Sequence, residues 1–246
     1  MKTLIFIPTY NELENINAII SQLLELNLKT DFLFVDDNSP DGTGKALDDW
    51  ALKNPAIHVL HRSGKQGIGT AHQAGIAWAY ERGYRNLITM DCDFTHSPEY
   101  IPKLLERAED ADIVVGSRYL QAGSLSTWNK KRLFLTKLGH ALTHIFLDMP
   151  HDATGSFRLY RLDRIPSELF ALVKSPGYSF FFESLFIIKQ NHFSIVEIPT
   201  HLPARTYGHS KMKISDAINS LKQLGNLFFA GVINPKKFQV KNRKSL

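Results

Sequence analysis

The stretch LITMDCDFTH, residues 87–96, places two aspartates one residue apart directly after an apolar run. Side chains alternate between the two faces of a strand, so Asp91 and Asp93 would point the same way if the strand continued through them. Two neighbouring carboxylates repel each other, and a fold keeps such a pair only at a cost in stability. The pair therefore indicates either a site whose chemistry needs both charges or a surface turn in which both side chains cap the backbone.

Alternating strand and helix patterns on both sides of this stretch predict the architecture of the first half. Strands are predicted at 3–8, 31–37, 56–60, 86–91 and 112–117, with helices at 11–27, up to 50, at 70–82 and at 98–109. The strands are apolar on both faces, which is typical of a mostly parallel sheet covered by helices. The predicted fold class is α/β, in a single domain.

The second half is less regular. Apolar residues at helical spacing predict helices at 128–147, 179–190 and 214–233, and a strand is predicted at 193–199. The segment HDATGSFRLYR (151–161) is predicted as a loop that runs into a short strand. The histidines at 140, 144 and 151 suggest a second metal site, but their spacing favours ordinary surface histidines.

Composition and charge exclude several classes of protein. A chain of 246 residues that is 43% hydrophobic can bury a full core, and its single cysteine excludes an internal disulfide. The apolar run in MKTLIFIPTYNE is too short for a signal peptide, and no stretch approaches the ~20 apolar residues of a membrane span. We therefore expect a soluble or peripheral protein.

The formal net charge is +5, and the excess lies late in the chain. Residues 211–246 contain eight Lys or Arg against the single acid Asp216. A basic tail of this kind either binds an anionic partner, such as a phospholipid surface, or is simply solvated.

Polar residues follow the predicted strands, and ligands of open α/β sheets bind beyond these carboxyl ends. The strand ends are Pro8–Glu12, Asp36–Asn38, His61–Arg62 and Asp91–Asp93. The first strand is not followed by G-x-G-x-x-G, so the dinucleotide fingerprint is missing. The loop GKQGIG (64–69) after the third strand indicates a tight turn or a close approach to a ligand, and is weak evidence alone.

Asp91 and Asp93 after a strand can hold Mg²⁺ or Mn²⁺, ions that prefer oxygen ligands and share themselves with substrate phosphates. His96 is a candidate third ligand. Asp36 and Asp37 can accept hydrogen bonds from the ribose or base of a nucleotide, or can simply form a turn.

An aspartyl-phosphate phosphatase is the alternative reading of Asp-x-Asp-x-Thr, with Asp91 as nucleophile and Asp93 as acid and base. That chemistry requires another acid pair at a later strand end. The next strand is followed instead by Gly116-Ser117-Arg118-Tyr119, which argues against a phosphatase.

Seven blocks occur in the order found in the family-2 inverting glycosyltransferases, and the chain resembles that family, most closely its dolichol-phosphate mannose synthase group. The blocks are IPTYNELENI (7–16), VDDNSPDGT (35–43), GKQGIGTA (64–71), MDCDFTHSPEYIP (90–102), GSRY (116–119), DATGSFRLYR (152–161) and RTYGHSKM (205–212). The resemblance runs from about residue 3 to about residue 230. It implies a GT-A-like domain over 1–233, with a nucleotide-sugar half at about 1–118, an acceptor half at about 119–233, and a basic tail at 234–246.

The resemblance also implies roles for individual residues. The nucleotide-sugar pocket would be lined by Pro8, Tyr10, Glu12, Asp36, Asp37, Asp91, Cys92 and Asp93. Asp91 and Asp93 would hold the divalent metal on the donor diphosphate, and Asp93, Arg118 and Arg205 would be the catalytic set. The acceptor phosphate would lie against Arg118, Arg132, Ser210 and Lys211. Thr95 stands where the family can have Gln, and Ala204 stands where an acid often precedes the last arginine.

The implied reaction is consistent with these residue types. A metal neutralises the charge that develops on the departing nucleotide diphosphate. A lipid phosphate is already ionised near pH 7, because its second pKa is about 6, and so it needs cations around it rather than a general base. Asp152 and Glu183 could instead orient sugar hydroxyls or arginine side chains.

The expected reaction is inverting transfer of mannose from GDP-mannose to a dolichyl or polyprenyl phosphate, with Mg²⁺ or Mn²⁺. The alternatives are a UDP-sugar donor, a soluble glycan acceptor, or a non-catalytic nucleotide-sugar binding subunit. The chain resembles the short form of the group, without C-terminal transmembrane helices. We expect it in the cytoplasm, peripheral at the cytosolic face of a membrane or with a membrane-anchored partner subunit, and without a nucleic-acid partner. The stretches 129–147 and 214–233 suit helices that lie in a membrane interface, or helices that pack on the sheet.

Overall fold

The computed structural model describes residues 2–203 and 214–240, and one mixed sheet forms its centre. Seven strands of the described residues join in the order β3-β2-β1-β4-β6-β5-β7. They are β1 (Thr3–Thr9), β2 (Thr30–Asp36), β3 (Ile57–His61), β4 (Asn86–Thr89), β5 (Ile113–Ser117), β6 (Arg158–Arg161) and β7 (Ile195–Pro199).

The sheet is mostly parallel, as predicted. Strands β3, β2, β1 and β4 are parallel neighbours, and β5 and β7 pair in parallel. Strand β6 alone runs against its neighbours, between β4 and β5. This reversal brings the loop that precedes β6 to the edge where β4 and β5 end.

Eight α-helices of the described residues surround the sheet. They are α1 (Leu13–Glu25), α2 (Thr43–Lys53), α3 (Ile68–Glu81), α4 (Ile101–Arg107), α5 (Lys130–Leu147), α6 (Ser167–Ala171), α7 (Phe180–Gln190) and α8 (Ile214–Ile233). Short 3₁₀ turns occur at Pro98–Tyr100 and Pro235–Phe238. No helix within these ranges is long and apolar enough to cross a membrane.

Each central strand is buried on both faces, which explains its unbroken apolar run. In β1, Leu4 and Phe6 belong to one core layer and Ile5 and Ile7 to the other. Helices α3 and α7 cover the first layer, and α1, α2 and α4 cover the second. The alternation of a strand therefore divides one apolar segment between two cores.

The boundaries differ from the predicted ones at several ends. Helix α1 begins at Leu13 rather than at Asn11, because Asn11 has a φ of 54°, in the left-handed region. Strand β4 ends at Thr89 rather than at Asp91. Helix α5 begins at Lys130, where the Asn129 side chain accepts a hydrogen bond from the Arg132 amide. The short helix α6 was not predicted.

We expect Gly75→Ala to destabilise the protein, because a Cβ there would lie 2.4 Å from the ring of the fully buried Phe6. Overpacking of this kind costs about 1–3 kcal/mol. The control is Gly225→Ala in helix α8, where a Cβ meets nothing within 4 Å. Alanine there should be neutral or stabilise by up to about 1 kcal/mol. Urea unfolding of both variants tests the difference, and equal stabilities would contradict this packing.

Candidate active site

Four parallel strands end at one edge of the sheet, and their polar residues meet there. The register pairs Thr9 with Asp36 and Asp36 with His61, so β1, β2 and β3 end level with one another. Strand β4 pairs with β1 on its other side and leads to Asp91. The strand-end residues that the sequence singled out therefore share one edge.

The loops after β1 and β2 are bound together by side-chain hydrogen bonds. The amides of Asn11, Glu12 and Leu13 donate to Ser39 Oγ, Thr43 Oγ1 and Asp41 Oδ2, at 3.0, 2.9 and 3.1 Å. Asp41 Oδ1 also accepts from the Thr43 hydroxyl at 2.6 Å. Sequence reasoning treated this segment only as a turn, although Asp-x-Thr is a pattern that bonds its own backbone.

The remaining residues predicted for the nucleotide pocket lie around these loops. Pro8 is in β1 and half-buried. The Lys65 ammonium lies over the Tyr10 ring, 4.7 Å from the ring centroid. Glu12 Oε2 accepts from Asn15 Nδ2 at 2.6 Å. Cys92 is buried.

Asp36 and Asp37 have different surroundings although they are adjacent. The Asp36 carboxylate accepts from the Ser39 amide and hydroxyl, at 3.1 and 2.5 Å, and so closes the turn after β2. The side chain of Asp37 lies instead against Arg62, with Oδ1 3.2 Å from Nε. Burial raises the pKa of Asp37 despite the attraction of Arg62.

Asp37 Oδ1 accepts no hydrogen bond from any described residue, although Arg62 Nε lies 3.2 Å away. Arg62 Nη1 is likewise buried without a hydrogen-bond acceptor among the described residues. Asp37 is therefore the better candidate for a nucleotide contact, whereas Asp36 is committed to the turn.

The segment after β4 is a turn that closes on itself. Phe94 has a φ of 61°, so the backbone leaves the strand direction after Asp93 and before His96. Asp93 Oδ1 accepts from the Thr95 amide at 3.2 Å and from the Thr95 hydroxyl at 2.6 Å. Asp91 Oδ1 accepts from Ser156 Oγ at 3.1 Å. The two carboxylates are thus held by separate donors, not by the alternation of a strand.

His96 stabilises this turn through its imidazole ring. Its Nδ1 accepts from the Asp91 amide at 2.9 Å, and its ring stacks on Phe157 with centroids 4.9 Å apart. Within 2–203 and 214–240, no three His, Cys, Asp or Glu side chains are grouped as metal ligands. The prediction that His96 is a third ligand is therefore wrong. The same finding argues against a metal site at the histidines 140, 144 and 151.

Two carboxylates with hydrogen-bonded supports nevertheless fit Mg²⁺ or Mn²⁺. These ions accept one or two protein carboxylates and take their remaining ligands from substrate phosphates and water. Asp91 keeps 34% of its side chain exposed, whereas Asp93 is almost fully buried. Asp91 and Asp93 are the described residues whose chemistry suits such an ion.

A buried ion pair lies beside this turn. Asp152 is fully buried and accepts from Arg118 Nε at 2.7 Å, from Nη2 at 2.5 Å and from the Arg118 amide at 3.0 Å. Arg118 Nη2 also donates to Thr154 Oγ1. Burial alone would raise the pKa of Asp152, but the charge and hydrogen bonds of Arg118 outweigh it and lower that pKa. Asp152 thus orients an arginine, one of the roles considered for it.

Arg132 is the other predicted cation within the part of the chain that the structure describes. The guanidinium of Arg132 stacks on Trp128, 3.5 Å from the ring centroid, at the start of α5. Arg205, Ser210 and Lys211 fall outside the described residues.

Glu183 is buried and takes no part in this edge of the sheet. Its carboxylate accepts from the amides of Lys174 and Ser175, at 3.1 and 2.8 Å, and so serves the loop before α7. Ser156 is a contact that sequence reasoning missed, since no local pattern joins it to Asp91 across 65 positions.

Residues 4–165 match the family model described as glycosyl transferase family 2, which covers more than half of the chain. The chain belongs to glycosyl transferase family 2. It is 38% identical over 218 residues to a polyprenol monophosphomannose synthase of Mycolicibacterium smegmatis, covering 87% of this chain and 82% of that protein. It is 37% identical over 229 residues to an undecaprenyl-phosphate mannosyltransferase of Micrococcus luteus, covering 92% of this chain and 94% of that protein.

Among solved structures, the fold of this family 2 member is similar to the mannosyltransferase PcManGT of Pyrobaculum calidifontis, in complex with GDP-Man and Mn²⁺. The TM-score is 0.56 at 17% identity, over 94% of this chain and 64% of that chain. This likeness confirms the GT-A fold. The protein is therefore a glycosyltransferase with a mostly parallel GT-A sheet, as the sequence predicted.

We expect Asp152→Asn to cost about 3–5 kcal/mol of unfolding free energy, because it leaves the buried Arg118 without its counter-charge. The Asp152 pKa is lowered in the folded state, so its contribution is present above the unfolded pKa of about 4 and is lost as pH falls. The stability of the wild type should therefore fall more steeply in acid than that of the variant.

The control for this variant is Glu81→Gln at an exposed pair, where Arg82 and Glu81 lie 3.3 Å apart. Its effect should stay below about 1 kcal/mol. Urea unfolding between neutral and acidic pH measures both variants. A loss at Asp152 no larger than that at Glu81 would show that the buried pair does not stabilise the site.

Proposed function

We propose that this glycosyltransferase moves mannose from GDP-mannose to a polyprenyl phosphate. The observation that carries the proposal is its similarity to two relatives with polyprenol-phosphate mannose synthase and mannosyltransferase names, over 82% and 94% of their lengths. The carboxylates at the ends of β2 and β4 support it, since a nucleotide diphosphate-sugar needs acceptors at its base or ribose and a divalent ion at its phosphates.

The nucleotide would lie across the carboxyl ends of β1 and β2. Asp37 has an oxygen without a hydrogen-bond donor among the described residues, and Tyr10 and Glu12 are on the adjoining loop. The hydrogen bonds between the two loops hold this pocket in place before the donor arrives. We assign the nucleotide-sugar half to about 1–118 and the acceptor half to about 119–233.

Asp91 and Asp93 would hold Mg²⁺ or Mn²⁺ on the donor diphosphate. When bound, such an ion neutralises charge on the departing diphosphate. Thr95 donates to Asp93 Oδ1 and Ser156 donates to Asp91 Oδ1, and these hydrogen bonds orient both carboxylates. Thr95 is thus a support for Asp93, which accounts for a threonine at this position.

The transfer itself breaks the bond between the mannose anomeric carbon and the diphosphate oxygen, and GDP departs. An oxygen of the acceptor phosphate forms the new bond from the opposite face, which inverts the anomeric configuration. The acceptor oxygen is already ionised near pH 7, so no side chain has to remove a proton. The protein has to bring two anions together and hold them in line.

Among the described cations, we assign Arg118 to the acceptor phosphate. Asp152 and Thr154 bind its Nε and Nη2, so the guanidinium is fixed and Nη1 takes no part in this cluster. Asp152 belongs to the same loop as Ser156, which donates to Asp91, so the ion pair lies near the proposed metal ligands. We assign Arg132, Arg205, Ser210 and Lys211 to the same phosphate, and we place the enzyme at the cytosolic face of a membrane.

The direct test incubates the purified protein with GDP-[¹⁴C]mannose, Mn²⁺ and a polyprenyl phosphate, and counts label in the lipid phase. Label should move only when metal is present. Asp93→Ala should lower the rate by at least about 100-fold, because it removes a metal ligand. The control is Asp110→Asn, an exposed acid after α4, which should act like the wild type. Transfer from UDP-sugars alone would overturn the proposed donor, and a fully active Asp93→Ala would remove that residue from the metal site.

Thr95 offers a test of metal binding that does not depend on turnover. Thr95→Val removes the hydroxyl that donates to Asp93 at 2.6 Å, whereas Thr95→Ser keeps it. Supports of this kind change metal affinity by about 10–100-fold. Titration calorimetry with Mn²⁺ and GDP should therefore show weak binding for valine and near-normal binding for serine. Equal affinities would mean that Thr95 does not prepare the ligand.

A further inference from the structure

The exposed apolar side chains of this protein are concentrated on two helices. Of the fourteen large apolar side chains that are exposed in the described residues, eleven belong to α5 and α8. They are Phe134, Leu135, Leu138, Ile145, Phe146, Ile214, Ile218, Leu221, Phe229, Val232 and Ile233. Scattered apolar side chains are normal on any surface, but a concentration of this size marks a contact surface.

The two helices lie against each other, so their exposed residues form one surface, which we call the α5–α8 face. Phe146 and Phe228 meet edge to face with ring centroids 5.4 Å apart. Leu147, Leu224 and Leu227 are buried in the core. The core therefore takes one side of each helix, and the exposed apolar side chains are left uncovered by described residues.

Exposed basic residues occur on the same two helices and just after them. Lys130 and Lys137 are exposed on α5, and Lys222, Lys236 and Lys237 are exposed on or just after α8. The range 130–147 contains no Asp or Glu, and 214–240 contains only Asp216. An apolar helical face with basic residues on the same helices is complementary to a bilayer with anionic head groups.

A second copy of the chain is less complementary to the α5–α8 face than a bilayer is. In a two-fold dimer the same patch faces itself, so the basic residues of one copy would meet those of the other. A bilayer supplies apolar chains and negative head groups together, and it also contains the proposed lipid acceptor.

The α5–α8 face is also connected to the active site. Tyr119 follows Arg118 in the chain, stacks on His140 of α5 with ring centroids 3.9 Å apart, and donates through its hydroxyl to the Thr136 carbonyl. Helix α5 thus extends from the residues beside the proposed acceptor cation to the exposed apolar surface.

We infer that the α5–α8 face is a membrane-binding surface that lies in the interface of an anionic bilayer and presents the active site to a lipid phosphate. The inference rests on the proposed function for the identity of the lipid substrate, but binding to vesicles can be measured without any substrate.

The test is flotation of the full chain with vesicles of phosphatidylcholine and phosphatidylglycerol. The wild type should float, and less so at high salt or with phosphatidylcholine alone, because head-group charge contributes. Ile145→Asp and Val232→Asp should each weaken vesicle binding by about tenfold or more, since each replaces an inserted apolar side chain with a charge. The matched control is Leu52→Asp on α2, where the leucine is 86% exposed but lies outside the face.

Transfer assays then separate this inference from the proposed function. With a long-chain acceptor in vesicles, Ile145→Asp should lose activity, whereas with a short, water-soluble polyprenyl phosphate it should match the wild type. A wild type that floats but transfers mannose to neither acceptor would contradict the proposed function but not membrane binding by the α5–α8 face.

Equal flotation of Ile145→Asp, Leu52→Asp and the wild type would contradict membrane binding by the α5–α8 face but not the proposed function. A wild type that does not float but forms a dimer, which Ile145→Asp dissociates in sedimentation experiments, would show that a second copy covers the face.

Discussion

Each carboxylate at the binding edge of this sheet has hydrogen-bond or ionic partners of its own, and that requirement organises the loops around the site. A buried polar group without a partner costs about 1–3 kcal/mol, and neighbouring acids add their repulsion. The pairs are Asp36 with Ser39, Asp37 with Arg62, Asp41 with Thr43, Asp91 with Ser156, Asp93 with Thr95, and Asp152 with Arg118. The edge can therefore collect acids for a metal and a nucleotide without losing its shape.

The reversed strand β6 completes this arrangement. Because β6 runs against β4 and β5, the loop that leads into it lies where those two strands end. That loop contributes Asp152 to Arg118 and Ser156 to Asp91. One segment from the second half of the chain thus supports both the proposed acceptor cation and a proposed metal ligand. A parallel strand in the same place would put this loop at the opposite edge.

The two halves of the chain provide two different kinds of surface. The parallel strands β1 to β4 provide the acids suited to a nucleotide and a metal, whereas α5 and α8 provide an apolar, basic surface suited to a lipid. Tyr119 and its contacts with α5 join the two regions. A transferase that takes one substrate from water and the other from a bilayer needs both kinds of surface within reach of one reaction centre.

The sequence by itself determined the α/β class, the seven strands and the sheet edge that collects the polar strand ends, because apolar periodicity and strand ends are local features. Through the resemblance of ordered motifs to a known family, it also predicts that Asp91, Asp93 and Arg118 act together. Its prediction for His96 failed, since spacing along the chain does not show that the imidazole nitrogen is used by the Asp91 amide.

Only the tertiary structure decided which acid serves which purpose. Asp36 and Asp37 are indistinguishable as neighbours in sequence, yet one closes a turn and the other faces Arg62. The pairings of Asp91 with Ser156 and of Arg118 with Asp152 join residues 65 and 34 positions apart. The uncovered apolar sides of α5 and α8 were likewise undetermined, because periodicity shows that a helix has an apolar face but not what covers it. Burial and hydrogen bonding depend on partners distant in the chain, and those partners are brought close only by the fold.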